Sequence, residues 1–281
     1  MKLEFISKAG LILPLTGNSK FKLSNVLGIT VANADISSTT IASMDGDFVN
    51  NMRTMPRDIT LELTIEADVE NTKRYISQYV KPKQTATLRM TQNSRTTQIS
   101  CVVRDIDMPR YTNQATMQIS LYCSNPYWED VDYTIQEIAE ALDLHYFTDY
   151  PNDMLFFTDE GMPFGEYDMN RTKTFINDGD ADVGINISII ALGEVINPAI
   201  YNSEGKYIGV NITLSAGDEV EINTEKGRKT LTLNGDNILS KIMKGSTWLQ
   251  LCTGEDEFTI NSADGTEANM YFTLTYKRKY I

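Results

Sequence analysis

Residues 59–66 read Ile59-Thr60-Leu61-Glu62-Leu63-Thr64-Ile65-Glu66. Apolar and polar side chains alternate without a break. A β-strand sends successive side chains to opposite faces, so this period of two gathers Ile59, Leu61, Leu63 and Ile65 on one face and leaves the threonines and glutamates on the other. The stretch predicts a half-buried strand and a β fold around it.

Downstream, Met117, Ile119, Leu121 and Cys123 alternate with Gln118, Ser120 and Tyr122, and Ile99, Cys101 and Val103 form a third run of the same kind. Residues 107–113, between these two runs, suit a hairpin connection. One helix interrupts the strands. Val69, Ile76 and Val80, with Tyr75 and Tyr79, recur near helical spacing, and Pro82 stops the helix because a residue before proline is pushed out of helical geometry. The first half therefore reads as a β domain with one packed helix.

Residues 131–170 differ in kind, with ten Asp+Glu and no Lys or Arg. Ile135, Ile138, Ala139 and Leu142 fall at i, i+3, i+4 and i+7, which predicts a short helix over 133–144. Residues 146–167 are aromatic and turn-rich, with Pro151, Gly161, Pro163 and Gly165, and read as a connector and a lead-in strand. They are too apolar for a free linker. From Thr174 onward everything reads as strand. Ile185, Ile187 and Ile189 alternate, as do Ile208, Val210, Ile212 and Leu214, then Val220 and Ile222, then Leu231 and Leu233, and residues 271–276 close the set. Turn signals separate them at Asn177-Asp178-Gly179, residues 202–205, Gly217-Asp218, residues 225–227 and Asn234-Gly235. Short strands at such spacing indicate a β-sandwich, and Asn-Gly suits a type I′ hairpin turn. The expected division is 1–133, an acidic helix and connector at 134–170, and a sandwich at 171–281 whose start could lie as early as 146.

Catalytic motifs are missing. His145 is the single histidine, which excludes histidine-based triads and multi-histidine metal sites. There is no G-x-S-x-G, Walker A or G-x-G-x-x-G pattern. Lys226-Gly227-Arg228-Lys229 reads as a basic turn. Asp178, Asp180 and Asp182 imitate the opening of a calcium loop, but Val183 and Ile189 stand where such a loop needs glycine and glutamate, so an acidic turn is the better reading. Abundant acids specify no catalytic pair by themselves. Cys101, Cys123 and Cys252 are odd in number and lack metal-like spacing, so they read as buried thiols. No apolar run reaches membrane-spanning length, and residues 9–15, broken by Pro14, do not read as a signal peptide. The formal charge of −13 is uneven: residues 1–130 carry 14 Lys+Arg against 13 Asp+Glu, and residues 131–281 carry 11 against 25. An acidic surface repels nucleic acid. The expectation is a protein that is not an enzyme, has no cofactor and no metal, binds no nucleic acid and inserts in no membrane. Trp128, Trp248 and fourteen tyrosines could stack on sugars, but aromatics in sandwich proteins mostly fill cores and interfaces.

Four stretches together resemble the distal tail proteins of siphophages. They are Gly46-Asp47-Phe48-Val49-Asn50-Asn51 with Arg53, Pro56 and Arg57; residues 121–130, including Cys123-Ser124-Asn125-Pro126-Tyr127-Trp128; Ile176-Asn177-Asp178-Gly179-Asp180 with residues 193–200; and residues 214–222 with Leu233-Asn234-Gly235-Asp236-Asn237. The sequence departs from the family at Gly254-Glu255-Asp256-Glu257, where a Gly-x-Asn is common. The resemblance implies an N-terminal domain that forms a homohexameric ring and a galectin-like C-terminal sandwich. It implies a place at the virion tail tip, after assembly in the host cytoplasm. There the ring joins the tail tube protein to tail-associated and tail-tip proteins and, further out, to receptor-binding proteins. Trp128, with Pro126 and Tyr127 beside it, is then expected to anchor the end of the first domain. The alternative is a carbohydrate-binding adhesion module for host-surface glycans, since the galectin-like fold alone does not decide what it binds.

Overall fold

In the computed structural model, which describes residues 1–42, 45–66, 68–108, 115–137, 140–142, 166–168 and 172–281, the opening stretch lies in the strand Arg57–Ile65. Its side chains alternate between buried and solvent-facing along the whole length. This strand pairs with Ala115–Cys123 on one edge and Lys22–Leu27 on the other, so it is an interior strand whose inner face is fully covered.

The sheet containing it runs in the order Ile12–Pro14, Lys2–Ser7, Thr85–Gln92, Arg95–Asp107, Ala115–Cys123, Arg57–Ile65, Lys22–Leu27, with antiparallel pairs throughout. Arg95–Asp107 is the corner. One of its edges pairs with Thr85–Gln92 over Arg95 to Val102. Its other edge meets Trp128–Asp130 at Thr97 and Gln98, then Ala115–Cys123 from Val102 onward, with a register shift between Val103 and Asp105. A bulge bends and twists a strand, which lets one sheet fold over its own core. Leu3, Phe5, Ile59, Leu61, Leu88 and Ile119 fill that core. The helix Val69–Tyr79 lays Thr72 and Ile76 against it, and Val80 follows, buried, in extended geometry. The hairpin expected at 107–113 falls largely outside the described residues.

The chain divides into two compact units: residues 1–132 with 279–281, and residues 133–278. The second unit has two main sheets. One runs Thr134–Glu137, Met270–Tyr276, Asn186–Ala191, Glu219–Asn223, Thr230–Leu233, Asp236–Asn237; the other runs Thr172–Asn177, Gly254–Asn261, Ala199–Asn202, Tyr207–Gly209. Ile187, Val220 and Phe272 from the first share a core with Phe175, Ile200 and Phe258 from the second, the two phenylalanines meeting edge to face at 5.5 Å. This is the predicted sandwich. At the predicted Asn-Gly turn both central residues have positive φ, 50° at Asn234 and 88° at Gly235, as a type I′ turn demands.

Two expectations need correction. No helix spans 133–144: Thr134–Glu137 is a strand on the edge of Met270–Tyr276, and Glu140–Leu142 is another, paired with Glu166–Asp168. Ile135, expected to face a core from a helix, is 62% exposed. A helix this short is marginal in water, and an open sheet edge offers its backbone a full set of hydrogen bonds. The strand expected through Ile208 to Leu214 is two pieces, Tyr207–Gly209 and Thr213–Leu214. Asn197, with φ of 54°, breaks the opposite strand between Val195–Ile196 and Ala199–Asn202, so each piece has its own partner. The connector at 146–167 lies almost wholly outside the described residues.

Candidate assembly surface

Two strands of the first unit form a sheet of their own. Among the described residues, Ala34–Thr40 and Asp47–Thr54 pair with each other and with no further strand, and every residue of the two but Asp35 and Thr54 is exposed. A bulge between Ser37 and Ser38 sets their faces. Ile36 opposes Met52, Ser37 opposes Asn51, and after the extra residue Asn50, Ser38 opposes Val49. With alternating side chains, the shift brings Val49 onto the face of Ile36 and Met52. Without it, Val49 would lie on the other side. The result is an apolar patch of Ile36, Val49 and Met52, which are 59%, 45% and 69% exposed.

Polar side chains cross-link both faces: Asp35, Thr39 and Arg53 lie opposite the apolar patch with Phe48, while Ser38, Thr40 and Asp47 share its face. Arg53 Nε donates to Asp35 Oδ2 at 2.9 Å, and Asn50 donates to Thr39 Oγ1 at 2.6 Å. Ser38 and Thr40 hydroxyls donate to the Asp47 carboxylate at 3.2 and 2.9 Å. Phe48 adds an aromatic ring that is 63% exposed. Such bonds fix the shape of the arm, yet a two-stranded hairpin alone is marginal in water. Exposed apolar residues gathered on one face of an arm without a core are the kind of surface that marks interaction sites.

Trp128, Tyr127 and Pro126 lie together at the end of the first unit. Trp128 is 2% exposed and Pro126 is buried. Tyr127 shares a hydrogen bond with Thr54 at the base of the arm, 3.2 Å between oxygens. The strand partner of Trp128 is Tyr280, from the last residues of the sequence, which had been assigned to the sandwich. Tyr280 donates its hydroxyl proton to Asp130 and lies under the Arg95 guanidinium at 4.4 Å. The exposed two-stranded arm carries no element expected from the sequence. The sequence signal was the interruption of alternation by Asn50-Asn51 between Phe48-Val49 and Met52.

Among the described residues, three aromatics considered for sugar stacking have protein partners. Lys229 sits over the half-buried Trp248 ring at 5.3 Å, and Tyr201 stacks on Tyr207 at 5.1 Å. The carboxylates of the acidic turn also have protein partners. Asp182 accepts the Thr253 N–H at 3.1 Å, and Asp178 faces Arg278 at 3.7 Å.

Residues 16–123 match the phage tail protein RIFT-related domain, and residues 178–280 match the siphovirus-type tail component, C-terminal domain. Among solved structures, the Dit protein of phage SPP1, described as a paradigm of the hub adsorption apparatus in phages infecting Gram-positive bacteria, is similar with a TM-score of 0.71 at 13% identity over 99% of each chain. Chains of the phage P2 baseplate in its activated conformation, with calcium and with strontium, give TM-scores of 0.52 and 0.51 at 11% identity, covering 99% of this chain and 97% of theirs. At such identities the likeness is one of fold. No curated protein sequence matches.

Proposed function

Given that this chain belongs to the siphophage distal tail proteins, structural components of the phage tail and baseplate, we propose that six copies close into a ring through the arm of residues 34–54. The apolar face of Ile36, Val49 and Met52 docks on the first unit of the next copy. An arm that reaches forward onto a different surface makes a heterologous contact, and such contacts form a ring when the rotation between copies closes. The exposed apolar face on a hairpin that joins no larger sheet among the described residues is the observation that carries this reading. The balanced charge of residues 1–130 lets six copies approach, whereas six acidic halves gathered on an axis would repel one another.

The ring is the joint between the tail tube protein on one side and the tail-associated or tail-tip protein on the other. Receptor-binding proteins attach beyond it, and assembly takes place in the host cytoplasm. Trp128, Tyr127 and Pro126 serve the joint indirectly, by fixing the end of the ring-forming unit. The work is mechanical, with no catalytic step.

Light scattering after size exclusion tests the proposal. The full chain should elute as a hexamer, and the double variant Ile36→Asn, Met52→Thr as a monomer with an unchanged melting temperature, because exposed substitutions leave the fold within about 0.5 kcal/mol. A wild-type chain that stays monomeric at high concentration, or a variant that still closes, would overturn it.

A further inference from the structure

On the inner face of the first unit, one row of side chains crosses neighbouring strands. Ser7 faces Ala86, Ala86 faces Cys101, and Arg57 faces Cys123. Val102 pairs with Tyr122, so the next position of that antiparallel ladder sets Cys101 against Cys123. Cys101, Cys123 and Arg57 are 3%, 0% and 3% exposed.

Arg57 is the member of the row that calls for explanation. A guanidinium stays protonated, and burying it without a counter-charge is costly. Its Nη1 donates to the Ile29 carbonyl at 2.8 Å, while Nε and Nη2 are buried with no hydrogen-bond partner among the described residues. Asp58 points to the other face of the strand and pairs with Arg104 at 3.0 Å. The group opposite Arg57 that can take up a negative charge is the Cys123 thiol. Cys123 is pulled below the ordinary thiol range by the neighbouring Cys101 and by the Arg57 charge, and Cys101, whose S–H donates to the Ala86 carbonyl at 3.5 Å, is pushed up by Cys123 and by burial.

We propose that Cys101 and Cys123 are a peroxide-responsive pair that closes into a cross-strand disulfide, with Arg57 holding Cys123 as the reacting thiolate. The oxidant is hydrogen peroxide. The Cys123 thiolate attacks one peroxide oxygen, the O–O bond breaks, and the departing hydroxide takes a proton and leaves as water. Cys123 is now a sulfenic acid. Cys101 gives up its proton and attacks Cys123 Sγ. The S–O bond breaks, the S–S bond forms, and the expelled hydroxide with that proton makes a second water. Two electrons have passed from the thiols to the peroxide. The bond ties the Arg95–Asp107 strand to Ala115–Cys123. It forms once the chain has left the reducing interior of the cell, where the thiols persist. This inference rests on the register of the sheet and stands apart from the ring.

The test uses the full chain with Cys252→Ser, which removes the one thiol outside the row. After peroxide treatment, intact mass should fall by two hydrogens and a non-reduced digest should contain one peptide linking positions 101 and 123. With Cys101→Ser added, reaction should stop at a sulfenic acid on Cys123, trapped by dimedone. With Cys123→Ser added, Cys101 should stay unreacted. Arg57→Met should slow closure about tenfold, because the charge that favours the Cys123 thiolate is gone. Should that variant fail to fold, the two cysteine variants decide the matter. Thiols that stay free in the folded chain, or oxidation of Cys101 without Cys123, would overturn the proposal.

Discussion

Trp128 and Tyr280 face each other across two short antiparallel strands, so the last residues of the sequence complete a unit that the first 132 residues begin. The chain leaves this unit at Asp132, builds the sandwich, and returns at Lys279. Tyr280 is 8% exposed and Trp128 is 2% exposed.

Tyr280→Ala should therefore destabilise the first unit and not the sandwich. The expected loss is about 3 kcal/mol, from a cavity beside a large aromatic and from the removed bond to Asp130. In a Trp248→Phe background, Trp128 emission should shift to the red. Emission that does not move would show that Tyr280 does not cover Trp128.

The Trp128 ring is needed for its bulk. Its indole nitrogen is buried with no hydrogen-bond partner among the described residues. Trp128→Ala should cost roughly 3–5 kcal/mol, and Trp128→Phe less than about 1.5 kcal/mol, because the phenyl ring leaves no donor to satisfy. Denaturant melts of the two variants give the comparison. Equal losses would mean that the indole N–H has a partner after all.

Gly28 has φ of +77°, and a Cβ there would lie 1.9 Å from the Asp58 carbonyl oxygen. Gly46, at the tip of the arm, has φ of +87° and open space around it. Gly46→Ala should cost only the left-handed backbone, roughly 1–2 kcal/mol. Gly28→Ala must also push apart two paired strands and should cost more. Thermal melts rank the two, and the reverse order would contradict the close approach.

Asp218 accepts the Ser215 N–H at 2.8 Å and an Asn234 side-chain N–H at 2.9 Å, and these two bonds hold its carboxyl below the usual value of 3.8. A depressed folded pKa contributes stability that is fully present above the unfolded value and is lost as pH falls through the folded one. Wild type should thus outlast Asp218→Asn at neutral pH, with the gap closing as pH drops below about 4. Melting temperatures across that range check the sign. A gap that widens on acidification would refute it.

The boundaries 1–133, 134–170 and 171–281 define a further test. A fragment of residues 133–278 should fold and stay soluble. A fragment of 171–281 lacks Thr134–Glu137 and so bares the edge of Met270–Tyr276, and an unpaired edge invites association. Sedimentation of the two fragments at equal concentration distinguishes them, and identical behaviour would make the edge strand dispensable.

Much of this molecule could be read from local pattern. Strict alternation located Arg57–Ile65, Ala115–Cys123 and Asn186–Ala191, because period two has one physical meaning when one face is buried. The helix ended where Pro82 required. Residues 133–144 misled for a related reason. A few apolar residues at helical spacing describe a face, but whether the backbone forms helix or edge strand depends on a sheet that is elsewhere in the chain.

The proposed assembly surface was less legible. Ile36, Val49 and Met52 carry no shared period, and one bulge brings them to one face. The row of Arg57, Cys123 and Cys101 draws on three strands. Each residue looked like ordinary core or a charged strand end until register set them side by side.

By itself, the sequence determined the β character of both units and their turns, since these rest on neighbours within a few residues. The tertiary structure decided which unit owns Tyr280, which strands stand alone as an arm, and which side chain faces Arg57. Those outcomes depend on pairing between distant segments. Such pairing is chosen by the burial and hydrogen bonding of the whole sheet, and no local pattern encodes it.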